Sequence, residues 1–240
     1  MRYLASITYD GSKFYGFQKL KNHKTVQGEL EKTLTKINKT IVMVKGAGRT
    51  DRGVHAFSQI VHFDLNITID EDSLKRAINS GLHEGLYVNY CEIVQSDFHA
   101  RFDALNKTYE YVINLGEYSP LAQDYIYNYN HQLALKEMKK AAKYLVGPHS
   151  FKAFVSGVRD NYDSIMTKVQ LKRQKDVLVI RFAGKTFYNH MVRNMVGALL
   201  LVGQGKIKPI MVYEMLMKET NIYNYMTVPA AGLYLISVDY

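Results

Sequence analysis

The order of strand and helix patterns in the first part of the chain is the feature that most constrains its fold. Apolar and polar residues alternate over 3–9, which predicts a strand, and Asp10-Gly11-Ser12 predicts the turn that ends it. Apolar residues then recur at helical spacing over 26–37, after Thr25 as an N-cap. The pattern predicts a second helix at 70–82 and further strands at 41–45, 60–65 and 87–94. This β-α-β-β-α-β order is the split βαβ arrangement of ferredoxin-like domains and indicates an α+β fold.

The second half of the chain follows a similar, looser plan. We expect strands at 109–115, 165–172, 177–182 and 233–238, and helices at 135–145, 187–202 and 210–217. We place the division near residue 104, giving halves of 1–104 and 105–240. Two such halves with strands edge to edge share a sheet and leave a central cleft. Clefts of this kind are preferred ligand sites.

Charge and composition favour a globular protein with a polyanionic partner. Lys and Arg total 31 against 22 Asp and Glu, a formal net charge of +9. Such a balance steers nucleic acids toward a protein, although a basic surface without that partner is the alternative. Apolar residues make up 47% and charged residues 22%, which is typical of a packed globular chain.

Targeting signals and disulfide frameworks are not indicated. Met1-Arg2-Tyr3 leads into a strand pattern rather than a signal peptide, and the apolar run 195–202 is too short to span a bilayer. Cys91 is the one cysteine, which excludes an intrachain disulfide and a Cys-rich zinc site. We expect a soluble protein in the reducing cytoplasm.

A glycine-containing polar loop over 46–53 is the most unusual segment. It is neither a dinucleotide fingerprint, which requires glycine where Asp51 stands, nor a Walker A loop. It presents Asp51 between Arg49 and Arg52, and a carboxylate oriented by arginine can act as a nucleophile or base. The alternative is a structural role, in which an Asp–Arg pair stabilises a tight turn. His55 is either catalytic or a hydrogen-bonding loop histidine.

The sequence contains no motif that indicates a metal site or a serine hydrolase. The eight histidines include no His-Glu-x-x-His pattern, and no Gly-x-Ser-x-Gly elbow is present. We therefore expect no metal site.

Basic and aromatic residues interleave between Phe98 and Tyr109, with Arg101 and Lys107 among them. RNA-binding proteins stack splayed bases on aromatic rings and hold the backbone with Lys and Arg. Tyr109 and Tyr111 lie on one face of a predicted strand. One of the two rings could stack on a base while the other packs.

The late apolar helix carries one arginine, Arg193. An unpaired buried charge is unfavourable, so Arg193 needs a partner, and Asp51 is a candidate. The alternative is that Arg193 extends its guanidinium to solvent.

Six segments, spread in order over essentially the whole chain, carry a family resemblance. They are Tyr9-Asp10-Gly11-Ser12-Lys13-Phe14-Tyr15-Gly16-Phe17-Gln18, Gly48-Arg49-Thr50-Asp51-Arg52-Gly53-Val54-His55, Phe98-His99-Ala100-Arg101-Phe102, Lys107-Thr108-Tyr109-Glu110-Tyr111, Asn189-His190-Met191-Val192-Arg193-Asn194-Met195-Val196-Gly197 and Gly232-Leu233-Tyr234-Leu235. Together they resemble the TruA family of tRNA pseudouridine synthases.

The resemblance implies a fold and a reaction. It implies the pseudouridine synthase fold of two ferredoxin-like halves, and a homodimer that cradles the tRNA anticodon arm. Uridines at tRNA positions 38, 39 and 40 would become pseudouridine without cofactor or metal.

The resemblance also assigns roles to residues. Asp51 would be the catalytic nucleophile or base, Tyr109 would stack on the uracil and take its C5 proton, and Arg193 would pair with Asp51. The RNA would be bound by basic residues near this centre, namely Arg49, Arg52, His55, Arg101 and Lys107.

Three positions or segments depart from the family pattern, and the third of them bears on substrate choice. Phe17 stands where the family usually has Trp, and Ala231 where some relatives have Glu. Asn161-Tyr162-Asp163-Ser164-Ile165 lacks an arginine that relatives often have. The altered 161–165 segment leaves open a paralogue acting on another RNA. The charge and the aromatic content leave open a non-catalytic RNA-binding or tRNA-folding protein.

Overall fold

A computed structural model describes residues 1–240 and divides them between two units. The first unit is Met1–Leu105 with Tyr234–Tyr240, and the second is Asn106–Leu233. The sequence placed residues 234–240 in the second half. The structure places them in the first unit because Tyr234 and Leu235 pair with His55 and Ala56 there.

Ten strands and five helices make up the α+β fold. In chain order they are β1 (Arg2–Tyr9), α1 (Val26–Asn38), β2 (Lys45–Gly46), β3 (His55–Asp64), α2 (Glu71–Gly81), β4 (Leu86–Val94), β5 (Asn106–Asn114), β6 (Tyr127–Asn128), α3 (Leu135–Tyr144), β7 (Gly147–Ser150), β8 (Asp163–Gln174), β9 (Val177–Gly184), α4 (Met191–Gly203), α5 (Ile210–Lys218) and β10 (Leu233–Asp239). None of these helices combines the length and the apolar character needed to cross a membrane.

The first unit has the split arrangement predicted from its sequence. Strand β1 lies between β3 and β4 and is antiparallel to both. The opposite edge of β3 is shared, because β2 pairs with its C-terminal half and β10 runs parallel to its first residues. Helix α1 follows β1, and α2 connects β3 to β4. The order β4-β1-β3-β2 is that of a ferredoxin-like domain.

Side-chain caps explain where the two helices of this unit begin. The Thr25 hydroxyl accepts a hydrogen bond from the Gly28 N–H at 3.3 Å, and the Asp70 carboxylate accepts one from Ser73 at 2.9 Å. These bonds satisfy N–H groups that the helix itself cannot pair. The predicted Thr25 cap is therefore confirmed.

The predicted strand at 41–45 is wrong, since only Lys45–Gly46 forms a strand. Side chains of α1 take the backbone groups just before it. The Val42 N–H donates to the Thr35 hydroxyl at 3.1 Å, and the Val44 N–H donates to the buried Glu31 carboxylate at 3.2 Å. Backbone groups paired with a helix are not available for a sheet ladder.

The second unit is built on an antiparallel sheet with the order β5-β9-β8-β7. Apart from the short strands β6 and β7, this unit begins with β5, α3, β8 and β9. Strand β9 lies between β5 and β8, which matches the split arrangement of the first unit. Helix α4 is buried along most of its length, as its apolar sequence predicted. It begins at Met191 rather than near residue 187 because His190 has a left-handed backbone with φ 59°.

Candidate active site

Asp51 opens a tight turn at the start of β3. The turn is closed by the Val54 N–H, which donates to the Asp51 carbonyl at 3.2 Å. Gly53 has φ +84° at the third position, where a type II turn requires a positive φ. The glycine after Arg52 therefore fixes the direction in which the chain leaves Asp51.

Two contacts anchor the residue before Asp51 to the core. The Thr50 hydroxyl lies 2.8 Å from the buried Tyr9 hydroxyl of β1, and the Phe17 N–H donates to the Thr50 carbonyl at 3.0 Å. Burial raises the pKa of Tyr9 to about 12, so its hydroxyl stays protonated within this contact. The loop is therefore held from two sides.

Gly16 allows the opening segment to touch the Asp51 turn directly. Its φ is +84°, and a Cβ at this position would lie 3.0 Å from the Thr50 carbonyl oxygen and 3.3 Å from the Arg52 nitrogen. No side chain fits there without displacing the loop backbone.

His55 is buried beneath the loop, with 3% of its surface exposed. Its Nδ1 accepts the Gly11 N–H at 3.1 Å, and its ring stacks on Tyr234 at 4.7 Å. This is the geometry of a hydrogen-bonding loop histidine. It leaves almost no side-chain surface for the RNA contact that the sequence assigned to His55.

Arg52 and Arg49 are exposed on the surface around the turn. The Arg52 guanidinium lies 4.9 Å from the ring centre of Tyr15, and that ring stacks on His23 at 4.1 Å. Both arginines are therefore available to a polyanion, and one of them is already held by an aromatic ring.

Arg101 also lies on the surface of the first unit. Its guanidinium is 5.9 Å from the ring of the exposed Phe102, which stacks on His99 at 4.2 Å. The His99 ring nitrogen accepts the N–H groups of Arg101 and Phe102 and so fixes this turn. The basic and aromatic residues predicted to interleave here do lie side by side.

Tyr109 and Lys107 lie on the buried face of β5 in the second unit, with 6% and 8% of their surface exposed. The Tyr109 ring packs edge-on against Phe187 at 4.8 Å. Tyr111 is fully buried, and its hydroxyl donates to the Pro229 carbonyl at 2.7 Å. Of the two tyrosines, Tyr111 is the packing residue, and Tyr109 keeps a small exposed surface.

Arg193 lies in the first turn of α4. Its Nε donates to the Val228 carbonyl at 2.7 Å, so the extended chain before β10 orients the guanidinium. The neighbouring Asn194 is buried, donates to the Phe154 carbonyl at 2.9 Å and accepts from the Thr227 hydroxyl at 2.6 Å. Gly197 lets the same segment pass close by, because a Cβ there would lie 2.0 Å from the Met226 carbonyl oxygen.

The predicted residues thus fall into two groups, one in each unit. Around the turn the first unit brings together Asp51, Arg52 and His55. The second unit holds Lys107 and Tyr109 on one strand and Arg193 on α4. Sequence reasoning missed the support from Tyr9 and Gly16 and the ring pair of Tyr15 and His23. The opening motif Tyr9–Gln18 was the available signal for three of these residues.

Comparison with known proteins finds extensive similarity. A family model described as tRNA pseudouridine synthase matches residues 5–103 and 141–240. A protein named tRNA pseudouridine synthase A 1 from Bacillus cereus is 37% identical over 243 residues, covering 100% of this chain and 98% of its own. A tRNA pseudouridine synthase A from Pseudothermotoga lettingae is 40% identical and covers 100% and 99%.

The similarity to solved structures is weaker. A chain from a structure described as "Crystal Structure of a Cbf5-Nop10-Gar1 Complex" covers 82% of this chain and 45% of its own length, at 10% identity and a TM-score of 0.36. This likeness is too low to support an argument about function.

Proposed function

The chain belongs to the tRNA pseudouridine synthase family, and from this premise we propose that it isomerises uridine to pseudouridine in the tRNA anticodon stem-loop, at positions 38, 39 and 40. The observation that carries the proposal is the anchored turn at Asp51. Gly53, Thr50 and Gly16 fix the backbone of this turn. A catalytic group has to be held in this way to meet one particular atom of its substrate.

The reaction breaks the N1–C1′ bond and joins C5 to C1′. The hydrogen on C5 leaves as a proton, and N1 gains one, so the product is an isomer and no oxidant or reductant is needed. In our proposal the Asp51 carboxylate acts at the sugar or base as nucleophile or base. Tyr109 stacks on the uracil and takes the C5 proton, while Arg193 pairs with Asp51 and holds its orientation.

The target uridine must leave the base stack before it can reach Asp51. Unstacking and unpairing a base costs a few kcal/mol, which phosphate contacts can offset. Arg49, Arg52 and Arg101 are exposed and supply these contacts in our proposal. Lys107 and His55 are buried, so we assign them to positions inside the site rather than on the RNA backbone.

The family resemblance further supports a homodimer in the cytoplasm. Sedimentation equilibrium of the purified protein tests the first of these. A monomer at micromolar concentration would contradict it.

The function is tested by tritium release from tRNA labelled at C5 of uridine. Because joining C5 to C1′ expels the label, the wild-type protein should release it and Asp51→Asn should not. Asp176→Asn is a matched control, since Asp176 is an exposed aspartate on the surface of the second unit. Sequencing of the modified sites then checks positions 38, 39 and 40.

The same assay distinguishes the alternatives. Release only from total cellular RNA, and not from tRNA, would indicate another RNA substrate. No release from either, with tRNA binding intact in both wild type and Asp51→Asn, would indicate a non-catalytic RNA-binding protein and overturn the proposal.

A further inference from the structure

An exposed pair of stacked rings lies beside the Asp51 turn. The rings of Tyr15 and His23 are parallel to within 17° with their centres 4.1 Å apart, and Arg52 lies 4.9 Å from the Tyr15 ring centre. Tyr15 is 42% exposed, whereas its aromatic neighbours Phe14 and Phe17 are each 3% exposed. One aromatic residue of three in this segment is therefore kept out of the core.

The backbone around Tyr15 is fixed, so its exposure does not result from a loose loop. The Tyr15 N–H donates to the Lys24 carbonyl at 2.7 Å, and the Gly16 carbonyl accepts the Val26 N–H at 3.2 Å. Gly16 in turn packs on the Thr50–Arg52 backbone. The exposed ring is thus coupled rigidly to the loop that carries Asp51.

The surface around the ring pair is positively charged. Residues 12–25 contain four lysines and no carboxylate, and all four lysines are exposed, namely Lys13, Lys19, Lys21 and Lys24. Lys19 forms an ion pair with Glu31 at 2.8 Å, which leaves three lysines and Arg52 facing solvent. Aromatic rings set among Lys and Arg are the usual means of holding single-stranded nucleic acid.

We propose that Tyr15, His23 and Arg52 form a stacking site for an unpaired nucleobase that flanks the target uridine. This inference rests on the proposed function, because it requires that Asp51 acts on the uridine next to the stacked base. When the uridine is flipped, the base next to it loses a stacking partner. The exposed ring pair then takes the place of that partner. The lysines bind the phosphates on either side of that base.

The test uses anticodon-arm RNA with 2-aminopurine at each nucleotide flanking the target in turn. The wild-type protein should quench its fluorescence at one of these positions, since stacking on a ring or guanidinium quenches this base. Tyr15→Leu should abolish that quenching and weaken binding by about 5- to 150-fold, the range that loss of one base–aromatic stack produces. Tyr15→Phe keeps the ring and should restore both.

Controls separate a binding role from a structural one. Tyr118→Leu removes a similarly exposed tyrosine of the second unit and should leave quenching unchanged. Thermal unfolding of Tyr15→Leu should match the wild type. Wild-type protein that binds the RNA without quenching at any flanking position would overturn the proposal, as would unchanged quenching in Tyr15→Leu.

The readout does not depend on turnover. If tritium is not released by the wild type but quenching occurs and needs Tyr15, the stacking site stands and the proposed function fails. If tritium is released and quenching is absent, the function stands and the stacking site fails.

Discussion

The Tyr9 hydroxyl lies 2.8 Å from the Thr50 hydroxyl, and this buried contact joins the central strand of the first unit to the residue before Asp51. Strand β1 is hydrogen-bonded on both sides and cannot shift without breaking the sheet. The contact therefore transfers the rigidity of the sheet to the turn that carries Asp51.

The first prediction concerns this contact. Tyr9→Phe leaves the buried Thr50 hydroxyl without its partner, which costs about 1–3 kcal/mol of unfolding free energy. We expect kcat to fall with little change in KM, because in the proposed function Asp51 acts in the chemical step and not in RNA binding. Urea unfolding and steady-state tritium release measure the two effects. Thr50→Ser, which retains a hydroxyl, should behave like the wild type.

The second prediction separates backbone strain from close approach. Gly16→Ala places a Cβ at φ +84° and 3.0 Å from the Thr50 carbonyl, whereas Gly205→Ala meets the same type of strain at φ +72° with no atom within 4 Å. Left-handed backbone costs an L residue about 1–2 kcal/mol. We expect Gly205→Ala to lose this amount of unfolding free energy and to keep wild-type activity. Gly16→Ala should lose more stability and also activity, and equal effects in both variants would contradict the proposed role of Gly16.

The third prediction concerns Arg193. Arg193→Lys retains the charge but loses the Nε–H that donates to Val228 at 2.7 Å, so the cation is no longer fixed. We expect kcat to fall at least about tenfold, an effect of about 1.4 kcal/mol, with nearly unchanged tRNA affinity. Arg181→Lys, which alters an exposed pair with Glu110, serves as the control and should retain kcat. A wild-type kcat for Arg193→Lys would argue against an oriented guanidinium.

The fourth prediction concerns acid stability. Burial, with nearby His99 and Arg2, lowers the pKa of His62 from 6.5 to about 4, and its Nδ1 accepts the Ala100 N–H at 3.1 Å. The folded state therefore binds this proton less readily than the unfolded state. The stabilisation is complete above pH 6.5 and is lost as the pH falls toward 4.

From these values the unfolding free energy should fall by about 2 kcal/mol through His62 between pH 7 and pH 5. Urea unfolding across this range measures it. His62→Asn cannot be protonated and should flatten that part of the profile. An unchanged slope in His62→Asn would show that other groups set the acid sensitivity, and His83→Asn, at an exposed histidine, should keep the wild-type slope.

Local patterns were sufficient for most of the secondary structure. The Thr25 cap and the apolar spacing of α1 marked that helix, because such signals act within one or two turns. The strand predicted at 41–45 failed for the opposite reason. Its backbone groups are taken by Thr35 and Glu31, which an alternation pattern does not reveal.

By itself the sequence determined the α+β class, the split arrangement of the first unit and the family, since all three depend on patterns and motifs carried along the chain. Only the tertiary structure decided which residues support Asp51 and which arginines are exposed. Tyr9 and Thr50 are 41 residues apart and meet only because β1 and β3 are neighbours in one sheet. The burial of His55 and the exposure of Tyr15 likewise depend on packing between distant segments, which periodicity does not encode.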